Sequence, residues 1–334
     1  MIERDFSLNY HVGYRNTRRS LFKKITFWLF ILLVLSIPLF FVKNIFLKSG
    51  NNTFANNEII SPLAKAAGSV LSAKDNTIPN NEGLKKAVDG SLGKTTAQYA
   101  VGVINLKTGQ EYFYNERIRF ESASLYKLWV MAVVFQWIES GRLSLDDKLT
   151  QDVKTLNEKF KIEENSAERK EGTVSYSVKE ALDLMITKSD NYSALLLVLK
   201  VRLAAIQGFL ADYGLMESKI GTASGSPVIT AYDTTLFFNK LYNGEFSNPQ
   251  NTDKMLALLK GQVLNEKLPK NLPINTIIAH KTGELDGFSH DAGIIYSPSA
   301  DYIIVVLSKS TNPLGANERI ANISKAVYDY FNSK

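Results

Sequence analysis

A chain of 334 residues, 45% apolar and 22% charged, is long enough to bury one large core and to carry appendages. It has no cysteine and only three histidines, His11, His280 and His290, with no His-Glu-x-x-His spacing; this excludes disulfides, thiolate metal sites and cysteine lipidation and argues against a catalytic zinc, so no metal or cofactor is expected. The net charge of +6 sits at one end: Arg4, Arg15, Arg18, Arg19, Lys23 and Lys24 outweigh Glu3 and Asp5, and Lys43 and Lys48 supply the rest, so residues 49–334 are neutral and offer no basic surface to nucleic acid.

In chain order, residues 1–24 form a basic tail. Ile25 to Val42 is a run of 18 residues without a charge, dominated by Trp28, Leu29, Ile31, Leu32, Leu33, Val34, Leu35 and Leu39. As a helix it spans roughly 27 Å, close to the thickness of a bilayer's hydrocarbon core. It exceeds a signal-peptide core and no small-x-small cleavage pattern follows closely. Residues 25–46 are therefore read as an uncleaved, single-pass transmembrane helix. Arg15, Arg18, Arg19, Lys23 and Lys24 place the N-terminus in the cytoplasm and the remainder outside the cell membrane. Residues 47–82, with Asn51-Asn52-Thr53, Asn56-Asn57 and Asp75-Asn76-Thr77, read as an extracytoplasmic linker with a weakly helical patch around Leu63 to Leu71.

The folded domain is expected over 83–334. Tyr99 to Asn105 and Glu111 to Tyr114 read as a hairpin around Lys107-Thr108-Gly109. A helix follows Ser124 and ends near Ser140-Gly141. Ser144 to Thr173 is polar, and its charged part, Lys154 to Lys170, reads as an exposed insertion without assigned function. Ser177-Val-Lys-Glu180 is a capping box opening a helix. Further helices are expected after Asn191, from about Ala204 to Tyr213, after Thr230 and over Thr252 to Lys260. Strands then return at Thr276–Lys281, Asp291–Tyr296 and Tyr302–Ser308, before a last helix from about Ala316 to Phe331. Strands at both ends with helices between them predict an α/β domain of the α+β kind. Its antiparallel sheet is joined from both termini, a helical lobe is inserted, and a cleft lies between the two.

Three short motifs point to chemistry. Ser-x-x-Lys occurs at Ser20, Ser91 and Ser124, but only Ser124-x-x-Lys127 opens an apolar helix, where the two side chains share a face. A serine alcohol is a poor nucleophile until a base takes its proton, and a buried lysine of depressed pKa can be that base. Ser189-Asp190-Asn191 occurs once, between two helices. Lys-Thr-Gly occurs at Lys107, where a hairpin turn explains it, and at Lys281-Thr282-Gly283, where it ends a strand.

In this order the motifs resemble those of the penicillin-recognising serine enzymes, the class A β-lactamases and penicillin-binding proteins. His280-Lys-Thr-Gly-Glu-Leu285, His290-Asp-Ala-Gly-Ile294 and Pro227-Val-Ile-Thr-Ala-Tyr-Asp-Thr-Thr235 are similar to the class A side. The resemblance, which runs from about Gly83 to the C-terminus, implies a β-lactamase/transpeptidase-like fold and roles by position. Ser124 is then the acylated nucleophile and Lys127 its base, directly or through water. Ser189 relays a proton to the leaving nitrogen. Asn191 holds the Lys127 amine and the substrate's side-chain amide. Lys281, Thr282 and Gly283 bind the substrate carboxylate, and Lys281 keeps the site positive so that Lys127 can be neutral. The backbone N–H groups of Ser124 and Glu284 form the oxyanion hole. Asp190 reads as a loop anchor, and His280 and His290 as packing or hydrogen-bonding residues.

One departure matters. The Glu-x-x-Leu-Asn loop, whose glutamate activates the deacylating water in class A enzymes, does not occur. The segment from Gly214 to Pro227 is shorter than in that family, and its Glu217 falls too early in the pattern and is expected at the surface. Three readings follow: a membrane-anchored, slow β-lactamase-like hydrolase; a D,D-peptidase acting on peptidoglycan stem peptides; and a β-lactam-binding module without turnover. The expected partners are a β-lactam or stem peptide and the lipid bilayer, with a monomeric catalytic domain.

Overall fold

The structure, a computed structural model, describes residues 81–221 and 225–333. The basic tail, the expected transmembrane helix and nearly all of the linker lie outside the described residues. Among the described residues no single helix is long and apolar enough to cross a membrane.

The elements follow in chain order. Helix α1 (Glu82–Leu92) precedes strands β1 (Gln98–Asn105), β2 (Glu111–Tyr114) and β3 (Phe120–Glu121). A 3-10 turn (Ala123–Tyr126) leads into α2 (Lys127–Glu139). Then come β4 (Lys148–Asp152), α3 (Val153–Phe160), β5 (Thr173–Ser177), α4 (Val178–Thr187), α5 (Asn191–Val201), α6 (Leu203–Asp212) and β6 (Val228–Ile229). The chain closes with α7 (Ala231–Tyr242), α8 (Pro249–Lys260), β7 (Ile277–Leu285), β8 (Phe288–Tyr296), β9 (Tyr302–Lys309) and α9 (Pro313–Asn332).

The main sheet has the order β2-β1-β9-β8-β7, antiparallel throughout. Early and late strands therefore build one sheet, as the sequence pattern predicts, with the middle of the chain inserted as a helical lobe. Side chains alternate across a strand, so β1 and β9 serve two cores. Val101, Val103, Ile304 and Val306 pack with Leu84, Val88, Ile320, Ile323 and Val327 of α1 and α9. Ala100, Ile303, Val305 and Leu307 face the larger core of the lobe. At the centre of that lobe, α2 is buried without interruption from Lys127 to Phe135. A helix apolar on all sides belongs in the interior, and here its first residue is a lysine.

The local signals in the sequence account for most helix starts. Ser177 and Glu180 form the capping box of α4, and Thr230 accepts from the Asp233 N–H at the start of α7. Four features differ from expectation. Helix α1 forms although Gly83 and Gly90 lie in it, because Leu84, Val88 and Leu92 recur on one buried face. Strand β7 does not stop at Lys281 but runs through Gly283 to Leu285, sustained by its full pairing with β8. Strand β8 correspondingly begins at Phe288, three residues ahead of Asp291. The Lys154–Lys170 stretch is exposed along most of its length, as expected, but opens with an unexpected helix: Asp152 caps α3 by accepting from the Thr155 N–H, and Val153 and Leu156 are buried.

On β8, Gly293 lies opposite His280 of β7. A Cβ there would collide with the Ala279 carbonyl oxygen and the His280 backbone, neither of which can swing aside. Gly293→Ala is expected to cost about 1–3 kcal/mol of stability, read as a lower urea midpoint at unchanged slope.

Candidate active site

The Ser124 turn is clamped from two sides. Phe120 and Glu121 pair with Ile229 and Val228, and the Ser122 N–H donates to the Pro227 carbonyl at 2.8 Å. On the other side lies β7. A Cβ on Gly283 would stand 3.2 Å from the Ser122 carbonyl oxygen and 3.3 Å from the Ala123 Cβ. Glycine thus lets the strand edge press against the serine turn. Between the clamps Ala123 takes φ 44°, a left-handed conformation that costs a non-glycine residue about 1–3 kcal/mol and persists only where the surroundings impose it.

Lys127 follows as the first residue of α2 and is fully buried. Its amine donates to the Ser189 carbonyl (2.6 Å), to Asn191 Oδ1 (2.8 Å) and, at 3.3 Å, to Ser189 Oγ. Among the described residues Ser124 Oγ makes no side-chain hydrogen bond, so the expected sharing of a helical face does not become a direct Ser124–Lys127 bond. Burial lowers the Lys127 pKa to about 7, against the opposing pull of Asp190 and Glu168. The positive end of the α2 dipole acts in the same direction as burial.

The Ser-Asp-Asn stretch is a second strained turn. Helix α4 ends at Thr187, Ser189 takes φ 60°, and Asp190 then caps α5, its carboxylate accepting from the Ser193 N–H (2.7 Å) and hydroxyl (2.6 Å). This is the loop anchor expected of Asp190. The left-handed kink lets Ser189 offer both its carbonyl and its hydroxyl to Lys127.

Lys281, in the middle of β7 and also fully buried, donates to Ser189 Oγ (2.9 Å) and to the Thr282 carbonyl (2.9 Å). Burial, and next the Lys127 charge, hold its pKa well below the ordinary lysine value. Ser189 Oγ therefore sits between two amines. A hydroxyl can accept from both and still donate its own proton, which is the geometry that a proton relay requires.

Strand register sets the direction of the Glu284 N–H. Leu285 and Phe288 close a two-residue hairpin and so exchange their hydrogen bonds. Gly283 and Lys281 share that parity, whereas Thr282 and Glu284 turn their backbone groups away from β8. Strand β7 is the sheet edge, so the Glu284 N–H points outward on the side where Gly283 meets the serine turn.

Both domain histidines are structural, as expected. His290 Nδ1 accepts from the Ser308 N–H (3.1 Å), which leaves Nε2–H to donate to the Glu121 carbonyl (2.8 Å). Burial lowers its pKa to about 4, so it ties β8 to β3 as a neutral ring. His280 Nδ1 lies 2.9 Å from Asp291 Oδ1, and Asp291 Oδ2 accepts from the Leu268 N–H at 3.0 Å.

Two residues near the site escape a reading of the sequence. Lys267 is 2% exposed and pairs with the Glu284 carboxylate at 2.7 Å, and its charge is one of those that act on Lys281. Glu168 accepts from Asn191 Nδ2, which brings the charged segment to the site. No motif marks either one; tertiary packing alone makes the contacts.

Glu217 is the one carboxylate in the segment 213–227. It is half-buried rather than at the surface and pairs with Arg117 at 2.7 Å. Its backbone N–H donates to Asp233, which ties the segment to α7. No carboxylate from this segment bonds Lys127, Ser189, Asn191 or Lys281.

The described domain has a β-lactamase/transpeptidase-like fold with its serine at the junction of sheet and lobe. The sequence model of the Beta-lactamase enzyme family matches residues 83–331, and the chain belongs to that family. β-Lactamase VEB-1 of Pseudomonas aeruginosa is 24% identical over 289 residues, which is 76% of this chain and 92% of that protein. Among solved structures, PBP-A superposes with a TM-score of 0.67 at 22% identity, over 76% of this chain and 97% of that one. A β-lactamase from Sphaerobacter thermophilus gives 0.66 at 21% identity, over 76% and 99%. A mutant of PBP-A, solved as its acyl-enzyme complex with penicillin G, gives 0.67 at 22% identity, over 76% and 98%.

Asp291 is the buried carboxylate on which β7 and the segment before it depend. Asp291→Ala strands the Leu268 N–H and the His280 ring and is expected to cost about 2–4 kcal/mol, measured by urea unfolding.

Proposed function

We propose that this chain is a penicillin-recognising serine hydrolase of the extracytoplasmic face, held to the membrane by residues 25–46, that forms an acyl-enzyme on Ser124 and releases it slowly. The observation that carries this reading is the meeting of two buried lysine amines on one serine hydroxyl, Ser189 Oγ, next to a strained serine turn. A depressed Lys127 pKa makes a neutral amine available near neutral pH, and a neutral amine can accept the Ser124 proton, directly or through a water. Attack on a β-lactam carbonyl forms the Ser124 Oγ–carbon bond and an oxyanion between the N–H groups of Ser124 and Glu284. Loss of one such donor costs roughly 3–4 kcal/mol of barrier. The proton then passes through Ser189 to the departing nitrogen as the amide C–N bond breaks. Lys281 and Thr282, with Lys267 behind them, supply the field for the substrate carboxylate, and Gly283 gives it room.

Deacylation needs a base to activate water. Segment 213–227 supplies no carboxylate to this cluster, which supports slow release. The same fact favours a D,D-peptidase or a penicillin-binding module as the second reading, since both share the acyl-enzyme. The structural likeness to PBP-A is compatible with it.

Intact-mass measurement on the full chain in detergent, mixed with benzylpenicillin, is expected to show a one-to-one adduct mapping to Ser124 that outlasts minutes. Ser124→Ala is expected to show none. A wild-type chain that hydrolyses penicillin at many turnovers per second with no adduct would reject slow release; folded protein with neither adduct nor hydrolysis would reject the nucleophile.

A further inference from the structure

Glu168 stands where the proposed acyl-enzyme would meet its substrate's side chain. Its carboxylate holds Asn191 Nδ2, while Asn191 Oδ1 holds the Lys127 amine. One of the two Asn191 Nδ2 hydrogens is thus held by a carboxylate, beside the position that the substrate's side-chain carbonyl would take.

The placement is built, not incidental. The neighbouring residue Arg169 is fixed through its backbone: its N–H donates to Tyr192 Oη at 3.1 Å, and its carbonyl accepts from Tyr192 Oη (2.8 Å) and Asn157 Nδ2 (2.9 Å). Tyr192 belongs to α5, one residue beyond Asn191, so the segment bearing Glu168 and the helix bearing Asn191 move as one. The adjacent Arg169 guanidinium is spoken for: it lies 3.9 Å from Asp190 and over the Tyr192 ring. Glu168 itself is exposed, and among the described residues it makes no ion pair. A carboxylate at the mouth of the site, bonded to one neutral amide and to no cation, favours an incoming positive charge.

We infer that Glu168 is a specificity-determining residue that selects acyl donors carrying a primary ammonium on the side chain next to the amide carbonyl. The inference rests on the proposed acyl-enzyme reading. A neutral side chain gains nothing from this carboxylate, and an anionic one is repelled by it. A cationic one keeps the carboxylate as its partner while its carbonyl takes the Asn191 N–H.

Three penicillins that differ at one carbon test this in the full chain: benzylpenicillin, its α-amino analogue and its α-carboxy analogue. The second-order rate of Ser124 acylation, followed by intact mass, is expected to be about threefold to fivefold higher for the amino compound than for benzylpenicillin and about tenfold higher than for the carboxy compound, the scale of an exposed ion pair. Glu168→Gln keeps an acceptor for Asn191 and removes the charge. It is expected to bring the amino-to-carboxy ratio to within about twofold of unity. Removing this charge also lowers the Lys127 pKa, but that scales all three rates together, so the ratio isolates selectivity. Peptides ending in D-Ala-D-Ala, with the ε-amine of a preceding lysine free or acetylated, give the same comparison for stem peptides. A charge preference lost on Glu168→Gln in either series supports the inference and assigns the source. Equal ratios in wild type and variant in both series overturn it while leaving the acyl-enzyme intact. Absence of both adduct and hydrolysis in the folded wild type overturns the acyl-enzyme reading, and this inference with it.

Discussion

The constraint on which this site depends is the burial of a lysine amine. An ammonium taken from water into a protein interior faces a desolvation penalty of several kcal/mol. Lys127 is fully buried, and Lys281 lies at the far side of the same hydroxyl. Two like charges cannot both be held cheaply there, and both pKa values are pushed down. The core is what makes this possible: α2 is enclosed by the lobe from Lys127 to Phe135, so its first residue has no path to bulk solvent. Packing thereby becomes chemistry, since an amine that is neutral near pH 7 is a base.

Around that amine the fold stores strain where the reaction needs geometry. Ala123 and Ser189 are both non-glycine residues with positive φ. Each is bracketed by ordinary, favourable structure: a short ladder and the β7 edge for the first, two helix ends for the second. His290 links β8 to the residue before Ser122, and the Gly283 contact links β7 to the same turn. Ser124, Ser189 and the strand edge are thus mutually located by rigid elements, as a preorganised site requires.

The legible part of this arrangement is local. Ser124-x-x-Lys127, Ser189-Asp190-Asn191 and Lys281-Thr282-Gly283 are readable because each sits at an element boundary or on an edge strand and brings its side chains in one short stretch. Ser177 and Thr230 announce their helices by capping chemistry alone. What could not be read depends on partners distant in the chain. Strands β3 and β6 are two residues each, too short for a period, and exist because they pair with one another. Lys267 and Glu168 gain meaning only through Glu284 and Asn191. The positive φ at Ala123 and Ser189 is invisible because neither residue is glycine. Helix α1 was hidden by Gly83 and Gly90, whose loop character is outweighed by three leucine and valine side chains on the sheet.

In the segment between α6 and β6 the one carboxylate, Glu217, is bound to Arg117 and supplies no base to Lys127 or Ser189. The account therefore stands or falls on the charge state of one buried amine. Nuclear magnetic resonance of the Lys127 side chain, labelled with carbon-13 and assigned by comparison with Lys127→Arg, measures it directly. The account predicts a titration midpoint near 7. A midpoint at the ordinary lysine value, about 10.4, would contradict it.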